Sequence, residues 1–165
     1  MVSYSEESED MNDLVKRIQE QRSCEQGFVP DQESVAQIVE QFANFCHIAV
    51  ISGGDVHTAV GRIVRELANN SLYAQGEQAT LQLHIGPKGV IVSYSDTGGF
   101  FQQAGIADVL KRHSAGSGGF ARIAKAADEI EAVHGVLSCI KYCPLLLRPT
   151  GKYAPAGQVS IGARP

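Results

Sequence analysis

No apolar run in this 165-residue sequence approaches the length of a membrane-spanning helix, so no transmembrane segment is expected. An excess of basic residues is also missing. Fourteen Lys and Arg stand against 18 Asp and Glu, a net charge of −4, which gives no support for broad binding to nucleic acid or anionic membrane. The first residues, SYSEESEDMND, are acidic where a secretory leader would be basic, and a cytoplasmic location is the expectation. Metal-ligand spacing is lacking as well. The four cysteines (Cys24, Cys46, Cys139 and Cys143) follow no usual zinc pattern, and the five histidines (His47, His57, His84, His113 and His134) show no paired spacing. Cys139 and Cys143, both in apolar surroundings, read as small buried hydrophobes. No internal repeat is found.

What is present is an ordinary globular composition, 44% hydrophobic and 19% charged, in a chain long enough for one domain with a real core. The sequence divides into an acidic disordered tail (1–9), one folded domain (10–147) and a Pro/Gly-rich extension (148–165). Met11, Leu14, Val15 and Ile18 keep helical spacing within Asp10–Arg22, and this helix offers either a dimer or partner surface or a face that packs on its own domain. Ser23–Pro30 reads as a connection. Asp31 is a candidate N-cap for a helix carrying Val35, Ile38, Val39, Phe42 and Phe45 on one face. A short strand is expected at Cys46–Ile51, then a long helix from Asp55 that stops at Gly76. Alternation of Leu81, Leu83 and Ile85 with polar residues, the turn Gly86-Pro87-Lys88-Gly89 and the run Val90–Ser95 predict a hairpin. A short helix over Ile106–Leu110 and another over Phe120–Ala127, for which Ser117 is a candidate cap, come next. A second hairpin turns at His134-Gly135 and continues through Val136–Cys143; Gln158–Ile161 is a candidate edge strand. Hairpins mixed with helices predict an α/β fold of the α+β two-layer type, a mixed and largely antiparallel sheet covered on one face by helices.

Three segments carry the candidate chemistry. On the long helix, Val56, Val60, Ile63, Leu67 and Ser71 form the buried stripe, and Glu66 and Asn70 stand one turn apart on its shoulder. Arg62, Arg65 and Asn69 lie on the water side. A carboxylate facing the protein is costly unless it is paired or used; the plainer alternative is a local cap or pair. Asp96 ends a strand and is followed at once by Gly98 and Gly99, which can present one carboxylate into a pocket while keeping side chains clear of a flat ligand. An ordinary turn has the same composition. Gly116, Gly118 and Gly119 precede a helix whose first N–H groups could receive a phosphate, with Lys111, Arg112 and Lys125 near in sequence. A flexible surface loop is the alternative there. Gly116, Gly118 and Ala121 also match a dinucleotide fingerprint, but no strand precedes them and no βαβ unit follows, so that match is set aside.

In order, these segments read acid-x-x-x-Asn on a helix (RELANNSLYA), Asp-x-Gly at a strand end, and a glycine-rich loop into the helix FARIAKAADEIE. Over roughly Val50–Cys143 the sequence thereby resembles the histidine-kinase-like ATPase superfamily, the Bergerat fold, and within it the anti-sigma-factor serine/threonine kinases. The resemblance implies that residues 10–147 form one such ATPase domain, with ATP and Mg²⁺ as cofactors. It implies that Asn70 holds the Mg²⁺, Glu66 orients or deprotonates the attacking hydroxyl, and Asp96 accepts a hydrogen bond from the adenine amino group. Gly98 would leave room for the ring, and Gly116, Gly118 and Gly119 would lie in the lid around the phosphates. The implied activity is transfer of the ATP γ-phosphate to a serine or threonine of a partner protein, a sigma factor or its antagonist, with a switch of partners.

The sequence departs from the family pattern at Phe100, where the last glycine of Asp-x-Gly-x-Gly is usual, with Gly99 one place early. Ser117 and Phe120 stand where glycine and leucine are usual, Ala74 where many of these kinases carry histidine, and Ser138 is a poor counterpart of the threonine on the closing hairpin. The intact Glu66 favours a kinase; the altered glycines favour a degenerate Bergerat module that binds without turnover.

Overall fold

Alternating apolar residues build the centre of the sheet. The computed structural model of the chain describes residues 3–5, 11–73, 77–116 and 118–149. Strands β4 (Ala79–Gly86) and β5 (Gly89–Asp96) pair antiparallel over their whole length, from Ala79 opposite Asp96 to Gly86 opposite Gly89. This is the hairpin that the period-2 pattern predicts. β6 (Glu129–Val133) and β7 (Val136–Tyr142) form the second hairpin, with His134 and Gly135 both at positive φ in its turn. β5 joins β7 antiparallel.

Two further strands fall where none is expected from the sequence. β2 (Arg22–Phe28) runs antiparallel along β4, although Ser23–Pro30 reads as a connection. Residues of the N-terminal stretch, Ser3–Ser5, form β1 and pair in parallel with Glu129–Glu131, so this part of the acidic tail is sheet. The six strands order as β1-β6-β7-β5-β4-β2. Parallel pairing at one edge and antiparallel pairing elsewhere make the sheet mixed and largely antiparallel, as expected.

Helices cover the face formed by Leu81, Leu83, Ile85, Val90, Val92, Tyr94, Leu137 and Cys139. α2 (Gln32–Ala49) starts at the expected cap, where the Asp31 carboxylate accepts the Ser34 N–H at 2.8 Å. The Ser34 N–H and hydroxyl favour the charged carboxyl and hold its pKa below the usual value. α2 then runs through Cys46 and Ala49, which continue its buried stripe. The expected strand is thereby shortened to β3 (Val50–Ser52), which pairs with β8 (Leu146–Leu147). α3 (Val56–Ser71) lies between α2 and α5 (Gly119–Ala126) in the helical layer, and α4 (Ile106–Ser114) packs beside α5. Every residue of the stripe predicted on α3 is buried: Val56, Val60, Ile63, Leu67 and Ser71. The free thiols behave as core residues. Burial pushes Cys46 and Cys139 up to about 12, which keeps both protonated.

The opposite face is covered too, which corrects the one-sided expectation. α1 (Met11–Ile18) lays Leu14 and Ile18 on Ile91 and Ile140, residues of opposite parity to the main core. Arg17 donates to Glu129 at 2.6 Å and to Glu131 at 2.7 Å, fixing the helix to β6. His84 of β4 pairs with Glu20 just beyond the helix. Gly86 is required where the hairpin meets the end of α1, because a Cβ there would overlap the Ile18 carbonyl. Among the described residues, no helix is long and apolar enough to cross a membrane. The expected cap Ser117 and edge strand Gln158–Ile161 lie outside the described residues.

Candidate functional site

The last turns of α3, the end of β5, a 3₁₀ turn (Phe100–Gln102), α4 and the start of α5 enclose a cavity of about 830 Å³. Asn70, Asp96, Gly98, Gly116, Gly118 and Gly119 all line it. Three segments distant in sequence thus meet at one concave surface.

Asp96 sits at the last position of β5, two residues after Tyr94 on the same face. The Tyr94 hydroxyl donates to Asp96 Oδ2 at 2.6 Å, and the Gly98 N–H donates to Oδ1 at 2.8 Å. The Gly98 bond is a local turn in which an aspartate caps its own backbone two residues on. Gly99, not Gly98, takes the left-handed conformation, with φ of 80°. Thr97 braces the strand end: its backbone N–H donates to Gln78 O, and its Oγ1 accepts the Glu77 N–H at 2.7 Å.

Phe100 occupies the position where a glycine is usual in the resembled family, and it lines the cavity with 43% of its surface exposed. Its ring meets Phe101 edge-on at 5.1 Å, Phe101 meets Tyr94 edge-on at 5.9 Å, and His113 of α4 approaches Phe100 at 6.4 Å. One wall of the cavity is therefore aromatic, with Leu67 and Leu110 adding apolar surface. Such a lining with a few placed polar groups suits a flat organic ligand.

Glu66 is not among the cavity's described lining residues; its side chain lies behind Gly119 and is only 13% exposed. Its Oε2 accepts from Arg122 Nε at 2.8 Å, so its partner comes from α5 and not from its own helix. This bond and the neighbouring charge raise the Arg122 pKa above its ordinary value. Asn70 is exposed on the cavity wall, where the helical pattern alone turns it toward the protein. The start of α5 presses on both. A Cβ at Gly119 would come within 2.6 Å of Glu66 Oε1 and 3.5 Å of Asn70 Oδ1, so a side chain there would have to displace the Glu66 carboxylate. Gly118 and Gly116 have room for a side chain, Gly118 with nothing near its Cβ position and Gly116 with only the His113 carbonyl at 3.5 Å.

Of the basic residues near the glycine loop, Arg112 lines the cavity and is joined by His113; Lys111 and Lys125 are not among its described lining residues. Ser138 bonds Ser93 at 2.9 Å on the α1 side of the sheet, away from the cavity. Among the described residues no cluster of three His, Cys, Asp or Glu could hold a metal ion unaided. Tyr94 and Arg122 escape sequence reasoning. The first carried a signal, its position two before Asp96; the second has none short of the tertiary fold.

No family model matches the chain, and no curated protein matches it significantly.

Proposed function

We propose that the cavity is an ATP site of the Bergerat type and that the chain is a regulatory protein of the anti-sigma-factor serine/threonine kinase kind. One observation carries this reading: the helix, strand-end and loop segments, distant in sequence, converge on a single cavity.

The residues suit Mg-ATP in kind. A Mg²⁺ ion on a triphosphate takes most of its ligands from phosphate and water and needs only one or two from protein. Asn70 offers one amide oxygen at the wall, beside Gly119 and the N–H groups that open α5. Bound there, the metal would neutralise charge on the phosphates. Asp96 accepts the adenine amino group, and the aromatic wall takes the ring. Arg112 adds positive charge near the loop. Glu66, one turn from Asn70, takes the proton of the incoming hydroxyl; the hydroxyl belongs to a serine or threonine of a cytoplasmic protein partner, a sigma factor or its antagonist. Phosphoryl transfer asks for little beyond such positioning.

A second reading has its own support. The Glu66 carboxylate is engaged by Arg122, and Phe100 takes space that a glycine would leave open. Both favour a degenerate Bergerat module that binds its partner without turnover.

Calorimetric titration with ATP, with and without Mg²⁺, tests the site. Magnesium-dependent binding that Asp96→Asn weakens at unchanged thermal stability is expected. Equal loss of binding and stability would make Asp96 a structural residue, and no binding at millimolar ATP would leave a scaffold that works through protein contacts. Glu66→Ala separates the two readings. In a kinase it abolishes transfer and spares binding; turnover that survives the change would remove Glu66 as the base.

A further inference from the structure

The helices beside the cavity differ in charge from the chain as a whole. The net charge is −4, yet the charged residues that α3 and α5 turn to solvent are cations. Arg62, Arg65 and Lys125 are exposed, and the Arg122 side chain is 51% exposed. The one carboxylate on these two helices, Glu66, is largely covered and bonded to Arg122. α2, on the other side of α3, has the opposite character: Glu33 and Glu40 are exposed, and the helix holds no Lys or Arg. A helix face that is merely solvated tends to alternate in sign, because like charges one turn apart repel. Arg62 with Arg65, and Arg122 with Lys125, stand one turn apart with the same sign.

This basic surface leads to the cavity. Arg62, Arg65 and Asn69 repeat at helical spacing along the outer side of α3. One further turn along, Tyr73 is 86% exposed and lines the cavity. From α4, Arg112 and His113 line the same cavity, while the one acid of that helix, Asp108, lies in its first turn. We propose, resting on the kinase reading of the cavity, that the outer face of α3 and α5 docks the partner that brings the hydroxyl, and that the segment received there is acidic, with Asp and Glu beside its serine or threonine. Such a segment is drawn to the cations and held with its hydroxyl near the cavity mouth, where the Tyr73 ring offers a flat contact. Exposed arginine and tyrosine are residue types that carry binding energy at protein interfaces. Nucleic acid suits the face less well, since a long polyanion would also meet the acidic remainder of the surface.

The test uses two short labelled peptides and fluorescence anisotropy on the whole chain. One peptide carries a single serine among glutamates; the other has lysines in place of the glutamates. Net charge alone would favour the lysine peptide, so a preference for the glutamate peptide has to come from a local surface. The wild type is expected to bind the glutamate peptide about tenfold more tightly, and less so as salt is raised. Arg62→Gln combined with Arg65→Gln should lose about fivefold of that affinity at unchanged melting temperature and ATP affinity. Arg148→Gln, an exposed cation on the β8 side, should lose none. Equal binding of the two peptides by the wild type would overturn the proposal, a result that needs no variant to fold. So would an equal loss in Arg148→Gln, or a single-stranded DNA that binds more tightly than the glutamate peptide and is lost in the Arg62 and Arg65 variant. Calorimetry with Mg-ATP separates the two readings. ATP binding without a peptide preference removes the docking face alone; a glutamate preference without ATP binding removes the kinase reading and leaves an acid-binding face.

Discussion

The two faces of the sheet are built differently. On one, four helices bury a continuous apolar cluster that runs from Cys24 to Leu145 and opens at one end into the cavity. On the other, the single short helix α1 lays Leu14 and Ile18 on Ile91 and Ile140, and charged pairs finish the contact: Arg17 with Glu129 and Glu131, His84 with Glu20. The large cluster has area to spare, so it can leave a hollow between α3, α4 and α5 without losing the fold. The small one has none, and ion pairs fix where its helix sits. Chemistry is expected on the first face and anchoring on the second.

Truncation on the large face should give the greatest loss of stability. Phe42, on the inner face of α2, is fully buried, and Phe42→Ala is expected to cost about 3–5 kcal/mol in chemical denaturation. Ile18→Ala, on the α1 face, should cost about 2–4 kcal/mol while leaving the affinity for ATP proposed for the cavity unchanged. If affinity fell with it, the two faces would not be independent and the contrast drawn between them would fail.

Arg17→Ala is next, at roughly 1–3 kcal/mol, since Glu131 is almost wholly buried and would lose a charged donor. A loss of that size that survives 1 M salt would locate the clamp inside the protein; a loss that salt removes would make it a surface pair. The smallest effect concerns His57 on α3, whose ring stacks on His47 at 4.1 Å. Burial, then the neighbouring imidazole, lowers its pKa. The unfolded chain therefore takes up the proton first, near the ordinary value of about 6.5. Stability is full above that pH and declines as pH falls through the lowered folded value. His57→Gln should flatten melting temperature against pH between about 7 and 5; an unchanged slope would assign the dependence to another group.

The difference between the faces also explains what the sequence discloses. Leu81, Leu83 and Ile85 alternate because one face of β4 meets a thick helical layer, and the α3 stripe is read correctly for the same reason. β2 is hidden because its buried side carries only Arg22, Cys24 and Phe28, with Gly27 and polar residues between them. Cys46–Ala49 misleads because a short apolar run fits strand and helix alike, and only the preceding Phe42 and Phe45 show that the helical stripe continues. At the cavity, Asn70, Asp96 and the glycines are legible because each lies in a local pattern. Arg122 is not, because its meeting with Glu66 depends on how α5 packs against α3.

The Arg17 clamp joins residues 112 and 114 positions apart along the chain. Contacts of that span form only after a large loop closes, and such closure slows folding. As the chain leaves the ribosome, β1 and the Arg17 clamp must wait for β6, which is made after the β4–β5 hairpin. The sheet is therefore completed by its earliest-made residues last. In amide exchange, α1 and β1 should open before the β4–β5 hairpin does.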